Sequence, residues 1–340
     1  MKILTIESTC DETAAAVVTD DLQVLGSVVA SQDDLHRRFS GVVPEIAARA
    51  HLEKIVPVID EALRRANVRL EDLDAIAVAN TPGLAGSLLV GLVAAKALSL
   101  ATGKPLLAVN HLHAHIYACR MAAGKNVFPC VGLIVSGGHT SLYHCASATD
   151  FHYLGGTIDD AAGEAFDKVA SMLGLAYPGG PAISAAAERG NPKAYQFPRA
   201  LGGEAGGLNF SFSGVKTAVR YAICGPQQAD FSAVHLKEQQ IADLAASFQE
   251  AVVDSLVTKT RLALDQTNEA ILCVGGGVAA NRKLRGRLAM LASDMRVELH
   301  IAPLALCTDN AVMGAIAFER LKAGKFESLD LEAIPGLVRA

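Results

Sequence analysis

The chain has no tryptophan and few charged residues: 19% of 340 positions are Asp, Glu, Lys or Arg, against 51% hydrophobic residues and 30 glycines. That balance excludes a disordered chain and describes a compact globular enzyme or binding protein. Its seven cysteines (10, 119, 130, 145, 224, 273 and 307) are odd in number and include no CxxC pair, which excludes a cysteine-based zinc cluster by spacing and fits reduced thiols in a cytoplasm. No apolar run is long enough to span a bilayer: the longest, 84–95, runs straight into Lys96 and is read as a buried helix, with no membrane segment expected. The N-terminal MKILTIES enters a strand pattern without the apolar core and cleavage site of a secretory leader. Positive charge is also short. A formal net charge of −5 argues against a broad basic surface able to hold nucleic acid unaided. Neither GxxxxGK[ST] nor a GxGxxG following a strand occurs, so the two common phosphate-loop signatures are missing.

What is present is concentrated. HLHAH at 111–115 places three of the chain's ten histidines in five positions. On a helix, His111 and His115 share a face at i, i+4, and His113 points elsewhere on the cylinder. Two imidazoles do not complete a divalent metal site, so a third ligand, commonly a carboxylate, is required from elsewhere in the chain.

The sequence also repeats its plan. KILTIES, CDET, AAAVVTD and LQVLGSVVA read as strand, turn, strand, strand over 2–30, and CVGLIVS, GGHT, SLYHCAS and FHYLGGT follow the same order about 130 residues later. Helical patterns follow each half, at 44–67 and 159–174. Further strands are expected at 75–80, 106–110 and 270–276, with helices at 87–101 and 311–323. Alternating strands and helices predict an α/β fold, and the length predicts two domains.

Three Gly-rich turns, at 136–140, 177–181 and 275–281, offer backbone N–H groups to phosphates. The basic run NRKLRGR (281–287) carries Arg282, Lys283, Arg285 and Arg287, either as a solvated helix face or as contacts to nucleic-acid phosphate. The acidic turn with Asp11 and Glu12 is the best place in the sequence for a general base.

IESTCDETAAAV (6–17), GVVPEIAARAH (41–51), HLHAH, VSGGHT (135–140), DDAAGEAFDKVA (159–170), YPGGP (177–181), NFSFSGVKT (209–217), GGVAANRKLR (276–285) and CTDNAVMGA (307–315) together resemble the TsaD family. The match covers nearly the whole chain in order, and DDAAGEAFDK and NFSFSGVKT are specific motifs. The resemblance implies the actin-like ATPase fold of acetate and sugar kinases, Hsp70 and hexokinase, in two duplicated lobes with a central cleft. The expected division is a lobe at 1–110, completed by a helix at 310–325, and a second lobe at 111–309 carrying the metal and nucleotide motifs. It implies transfer of a threonylcarbamoyl group from L-threonylcarbamoyl-AMP to the exocyclic amine of the adenosine next to the anticodon, in tRNAs that read codons beginning with A.

The same resemblance supplies the third metal ligand. His111, His115 and Asp309 would hold one divalent ion, Fe2+ in the first place, with Zn2+ or Mg2+ as alternatives. It places Ile134, Val135, Ser136, Gly137 and Gly138 at the acyl phosphate, and Asp167, Gly180 and Asn281 around the adenosine. Archaeal and eukaryotic relatives have a ligating tyrosine just before VSGG, where this chain has Ile134. Implied partners are tRNA, the paralogue TsaB, docking on the helix at 44–67, and the ATPase TsaE. A zincin-type metalloprotease is excluded because Leu112 stands where the motif needs Glu. An actin-like ATPase, acting as a kinase or nucleotide-switched binding module, remains the alternative.

Overall fold

In the computed structural model, the described residues are all but 40, 202–206, 226–234 and 337–340. They form two compact units, Met1–Phe128 with Ala146–Phe151 and Ala302–Ala340, and Pro129–Cys145 with His152–Ile301.

The first unit is built on a five-stranded sheet of order β3-β2-β1-β4-β5. Its strands are β1 (Lys2–Glu7), β2 (Glu12–Thr19), β3 (Val24–Ser31), β4 (Ala75–Thr81) and β5 (Leu106–Asn110). β1 runs antiparallel to β2 and parallel to β4, and β4 runs parallel to β5. The interior strand β4, AIAVANT, parallel to both its neighbours, is buried at every position, as a parallel strand covered on both faces must be. After the short α1 (Asp33–His36) come α2 (Pro44–Ala66), α3 (Ala85–Thr102) and α4 (His111–Ala123). Ile55, Val58, Ile59 and Ala62 of α2, with Val90, Leu92 and Ala95 of α3, join Leu4, Ile6, Ile76 and Val78 of the sheet in one core.

Against the expectation of a buried helix, α3 is only partly buried. It is long and apolar enough by composition to cross a bilayer, but here it packs on α2 and β4. Its outer face leaves Leu89 and Val93 exposed, as Leu52 and Val56 are on α2.

The second unit repeats the sheet: β10-β9-β6-β7-β8, from β6 (Cys130–Val135), β7 (Thr140–Ser147), β8 (Asp150–Gly156), β9 (Ile271–Gly275) and β10 (Glu298–Ile301). β6 is antiparallel to β7 and parallel to β9, and β9 is parallel to β10, matching β1, β2, β4 and β5 pair for pair. The duplication in the sequence is thus a duplication of topology. The helices are α5 (Ala162–Met172), α6 (Gly179–Ala187), α7 (Ser213–Cys224), α8 (Glu238–Thr267) and α9 (Arg282–Met295).

The chain then re-enters the first unit through α10 (Leu304–Cys307), a 3-10 segment at Ala311–Ile316 and α11 (Ala317–Lys322). The boundary expected at 110 falls instead after Phe128, because α4 packs on β5 and on Ala311–Ile316. HLHAH and Asp309 therefore both belong to the first unit.

Candidate functional site

α4 starts where β5 ends, and the Asn110 side chain caps it by accepting the N–H groups of Leu112 (2.9 Å) and His113 (3.2 Å). That start sets the phase of HLHAH. His111 and His115 fall on one side, ring centroids 4.7 Å apart, and their Nε2 atoms lie 3.5 and 3.2 Å from Asp309 Oδ1. The ligand atoms of the three residues all lie within 4.8 Å of one another. His111 and His115 are buried, and Asp309 is largely so. His113 turns away and stacks on Phe151 at 3.9 Å, where burial pushes its pKa down to about 4.

Glu7, which strand patterning alone could not single out, completes the surroundings. Its carboxylate accepts the N–H of Thr9 (2.8 Å) and lies 3.1 Å from His111 Nδ1, and Thr9 Oγ1 lies 3.3 Å from the same nitrogen. With Nδ1 donating to Glu7, Nε2 is left to face Asp309, the arrangement by which a carboxylate orients a metal-binding imidazole. Burial opposes charge on His111, but Asp309 and Glu7 outweigh it and raise its pKa to about 9. Asp11 and Glu12 lie at the β1–β2 turn, with ligand atoms within 4.8 Å of Asp33. Burial raises the carboxyls of both Asp11 and Glu12 above the usual carboxylate range, and the charge of Asp309 adds to the rise in each.

In the second unit, the β6–β7 turn is fastened to the start of α5. Gly163 and Glu164 donate their N–H groups to the carbonyls of Ser136 and Gly137, both at 3.1 Å. The approach requires glycine, since a Cβ at Gly163 would lie 2.5 Å from the Ser136 oxygen. Gly137 and Gly138 are exposed and have open space where a Cβ would project. Ile134 and Val135 are fully buried in β6, where their side chains hold the sheet, and Ser136 is buried too, with its N–H on the His139 carbonyl at 2.7 Å, so within 134–138 the exposed residues are Gly137 and Gly138.

Asp167, Gly180 and Asn281 are brought into one neighbourhood by Gly179, Ser184 and Gln249. Asp167 Oδ1 accepts the N–H of Gly179 at 2.7 Å, and Ser184 Oγ donates to the Gly180 carbonyl at 2.9 Å. Asn281 Oδ1 caps α9 through Leu284 N (3.0 Å), and its Nδ2 donates to Ser184 Oγ (3.0 Å) and Gln249 Oε1 (2.7 Å). Its amide, expected to read a ligand, is engaged in tying α6, α8 and α9 together. The basic run is partly neutralised as well: Lys283 pairs with Glu250, Arg287 with Glu250 and Asp254 (2.8 Å each), and Arg285 Nε donates to the Ala279 carbonyl at 2.6 Å. Arg282, 95% exposed, lies 3.9 Å from Glu188.

Two duplicated sheets of this order, each flanked by helices, define the actin-like ATPase fold. HypF from T. kodakarensis superposes with a TM-score of 0.63, covering 95% of this chain and 48% of that one at 14% identity. Component A of the Acidaminococcus fermentans (R)-2-hydroxyglutaryl-CoA dehydratase gives 0.51, covering 96% and 100% at 16% identity. These likenesses show the fold alone. The family model for TsaD, tRNA N6-adenosine threonylcarbamoyltransferase, matches residues 23–316. Relatives of that description from Rhodopirellula baltica and Bacillus subtilis are 59% and 49% identical, each over 99% of this chain and 97% and 95% of their own. The chain belongs to the TsaD family, and it is a transferase that modifies adenosine in tRNA.

Proposed function

We propose that the chain transfers the threonylcarbamoyl group of L-threonylcarbamoyl-AMP to the exocyclic amine of the adenosine next to the anticodon, in tRNAs reading codons that begin with A, and releases AMP. The observation that carries this reading is the near full-length kinship with tRNA N6-adenosine threonylcarbamoyltransferases. The amine is a weak nucleophile, because its lone pair is delocalised into the purine. The chain must therefore orient the donor and stabilise the leaving phosphate. The exposed backbone of Gly137 and Gly138 suits phosphate oxygens, and the Asp167, Gly180 and Asn281 neighbourhood suits the adenosine, with Asn281 serving to hold α6 and α9 in place.

His111, His115 and Asp309 would hold one divalent ion. The donor set fits: two imidazoles and a carboxylate suit Fe2+ or Zn2+ better than Mg2+, which prefers oxygen ligands and waters. The Nδ1 of His115 is buried without a hydrogen-bond partner among the described residues, while its Nε2 faces Asp309. When bound, such an ion supplies Lewis-acid polarisation of the donor. Glu7 orients His111, and the acidic turn of Asp11 and Glu12 is assigned to take the proton from the amine.

The exposed apolar face of Leu52, Val56, Leu89 and Val93 suits the paralogue TsaB, with TsaE as the accompanying ATPase, in the cytoplasm. The rival, an ATPase or kinase on the same fold, is separated by incubating the chain and these partners with tRNA. Threonylcarbamoyladenosine appearing only with a supply of threonylcarbamoyl-AMP supports the transfer. Turnover of ATP by this chain alone, with no modified nucleoside, contradicts it.

A further inference from the structure

We infer that His51, in the α2 segment GVVPEIAARAH, is a positioning residue for the metal centre, acting through the β1–β2 turn. His51 is completely buried, and both ring nitrogens are engaged. Nε2 donates to the Cys10 carbonyl at 3.0 Å, so Nδ1 is the bare nitrogen and accepts from Thr13 Oγ1 at 2.8 Å. The two bonds fix one neutral tautomer, and burial favours the uncharged ring. The ring thus ties α2 to both arms of the turn, at Cys10 and Thr13.

The turn is held from a second side by the start of α3. Ser87 Oγ donates to the Cys10 carbonyl at 3.3 Å, Ser8 Oγ donates to the Ser87 carbonyl at 2.9 Å, and Leu84 N donates to the Thr9 carbonyl at 2.8 Å. Thr9 is the residue these contacts immobilise, and Thr9 meets the centre: its N–H is on one Glu7 oxygen, and its hydroxyl is beside the His111 Nδ1 that faces the other. Loosening Cys10 therefore loosens Thr9, and with it the Glu7 contact that sets the His111 ring. α3 fastens the turn from one end only. His51 bridges it, which is why a buried, doubly bonded histidine stands there rather than an apolar residue.

The inference rests on the metal reading above, and its test separates the two. Co2+ is titrated into the metal-free full chain and followed by its visible ligand-field spectrum, for wild type, His51→Leu, His51→Gln and Thr13→Val, with melting temperature measured alongside. His51→Leu, which fills the space without either bond, should weaken Co2+ binding about tenfold and alter the spectrum, as loss of an outer-shell partner does. Thr13→Val, nearly isosteric and not itself a ligand, should shift affinity in the same direction by less, and it carries the test if His51→Leu does not fold. His51→Gln, which offers both a donor and an acceptor, should recover most of the loss. Lower melting temperatures with Co2+ affinity and spectrum unchanged would overturn the positioning role while leaving the metal site standing. A wild-type chain that binds no Co2+ would overturn the metal reading and this inference with it.

Discussion

The carboxylate of Asp159 accepts both the hydroxyl and the N–H of Ser213, at 2.8 and 3.2 Å, fifty-four residues along the chain. It also takes Ser211 Oγ (2.5 Å) and Phe212 N (2.8 Å), while the adjacent Asp160 pairs with Lys168 (2.8 Å) and with Lys216. The motifs DDAAGEAFDK and NFSFSGVKT are thus clasped to each other. Partial burial opposes charge on both acids, yet these bonds and lysines hold their pKa values below the usual carboxylate range. Depressed values in the folded state mean stability that is present above the unfolded pKa of about 3.9 and lost as pH falls through the folded values. Wild type should therefore lose urea resistance as pH drops below about 5, and Asp160→Asn should start lower and lose less across the same window. Parallel declines in the two proteins would show that this clasp does not contribute to the acid limb.

The basic run resolves into unequal members. Lys283 and Arg287 are paired with Glu250 and Asp254, whereas Arg282 projects into solvent. Arg282→Ala should reduce the salt dependence of tRNA binding by about one unit of slope, the signature of one lost phosphate contact. Lys283→Ala should chiefly lower the melting temperature. An unchanged slope in Arg282→Ala assigns the run to a solvated helix face.

Leu52 and Val56 are 65% and 69% exposed, and so tolerate polar replacement without loss of core. Leu52→Asp and Val56→Asp should weaken association with TsaB about tenfold or more in sedimentation or calorimetry, since a charge would be desolvated in an apolar contact. Affinity equal to wild type would place the partner elsewhere.

The legible parts of the sequence were those governed by local period. The two strand triplets, the helix at 44–67 and the i, i+4 pairing of His111 with His115 follow from residue spacing, and the structure contains them. Contacts across long separations did not follow from spacing. Asp309 meets His115 across 194 positions, and only family resemblance named it. Glu7, 104 positions from His111, looked like an ordinary strand residue. Composition also misled at α3, whose small and apolar residues suit burial although one face is open. The helix expected over 311–323 begins as 3-10 at Ala311–Ile316, a local hydrogen-bond choice that apolar periodicity does not encode.

Asp309 lies where a helix cap would, but the cap belongs to its neighbour: Asn310 Oδ1 accepts the N–H of Met313 at 3.2 Å. Loss of Asp309 therefore spares the roughly 1 kcal/mol that a side-chain cap contributes and isolates its role as a ligand. The most direct test is the metal content of purified, folded Asp309→Ala and His113→Ala. One divalent ion per chain is expected in wild type and His113→Ala, and little or none, with transfer lost, in Asp309→Ala. An Asp309→Ala protein that keeps its metal and transfers normally would contradict the account.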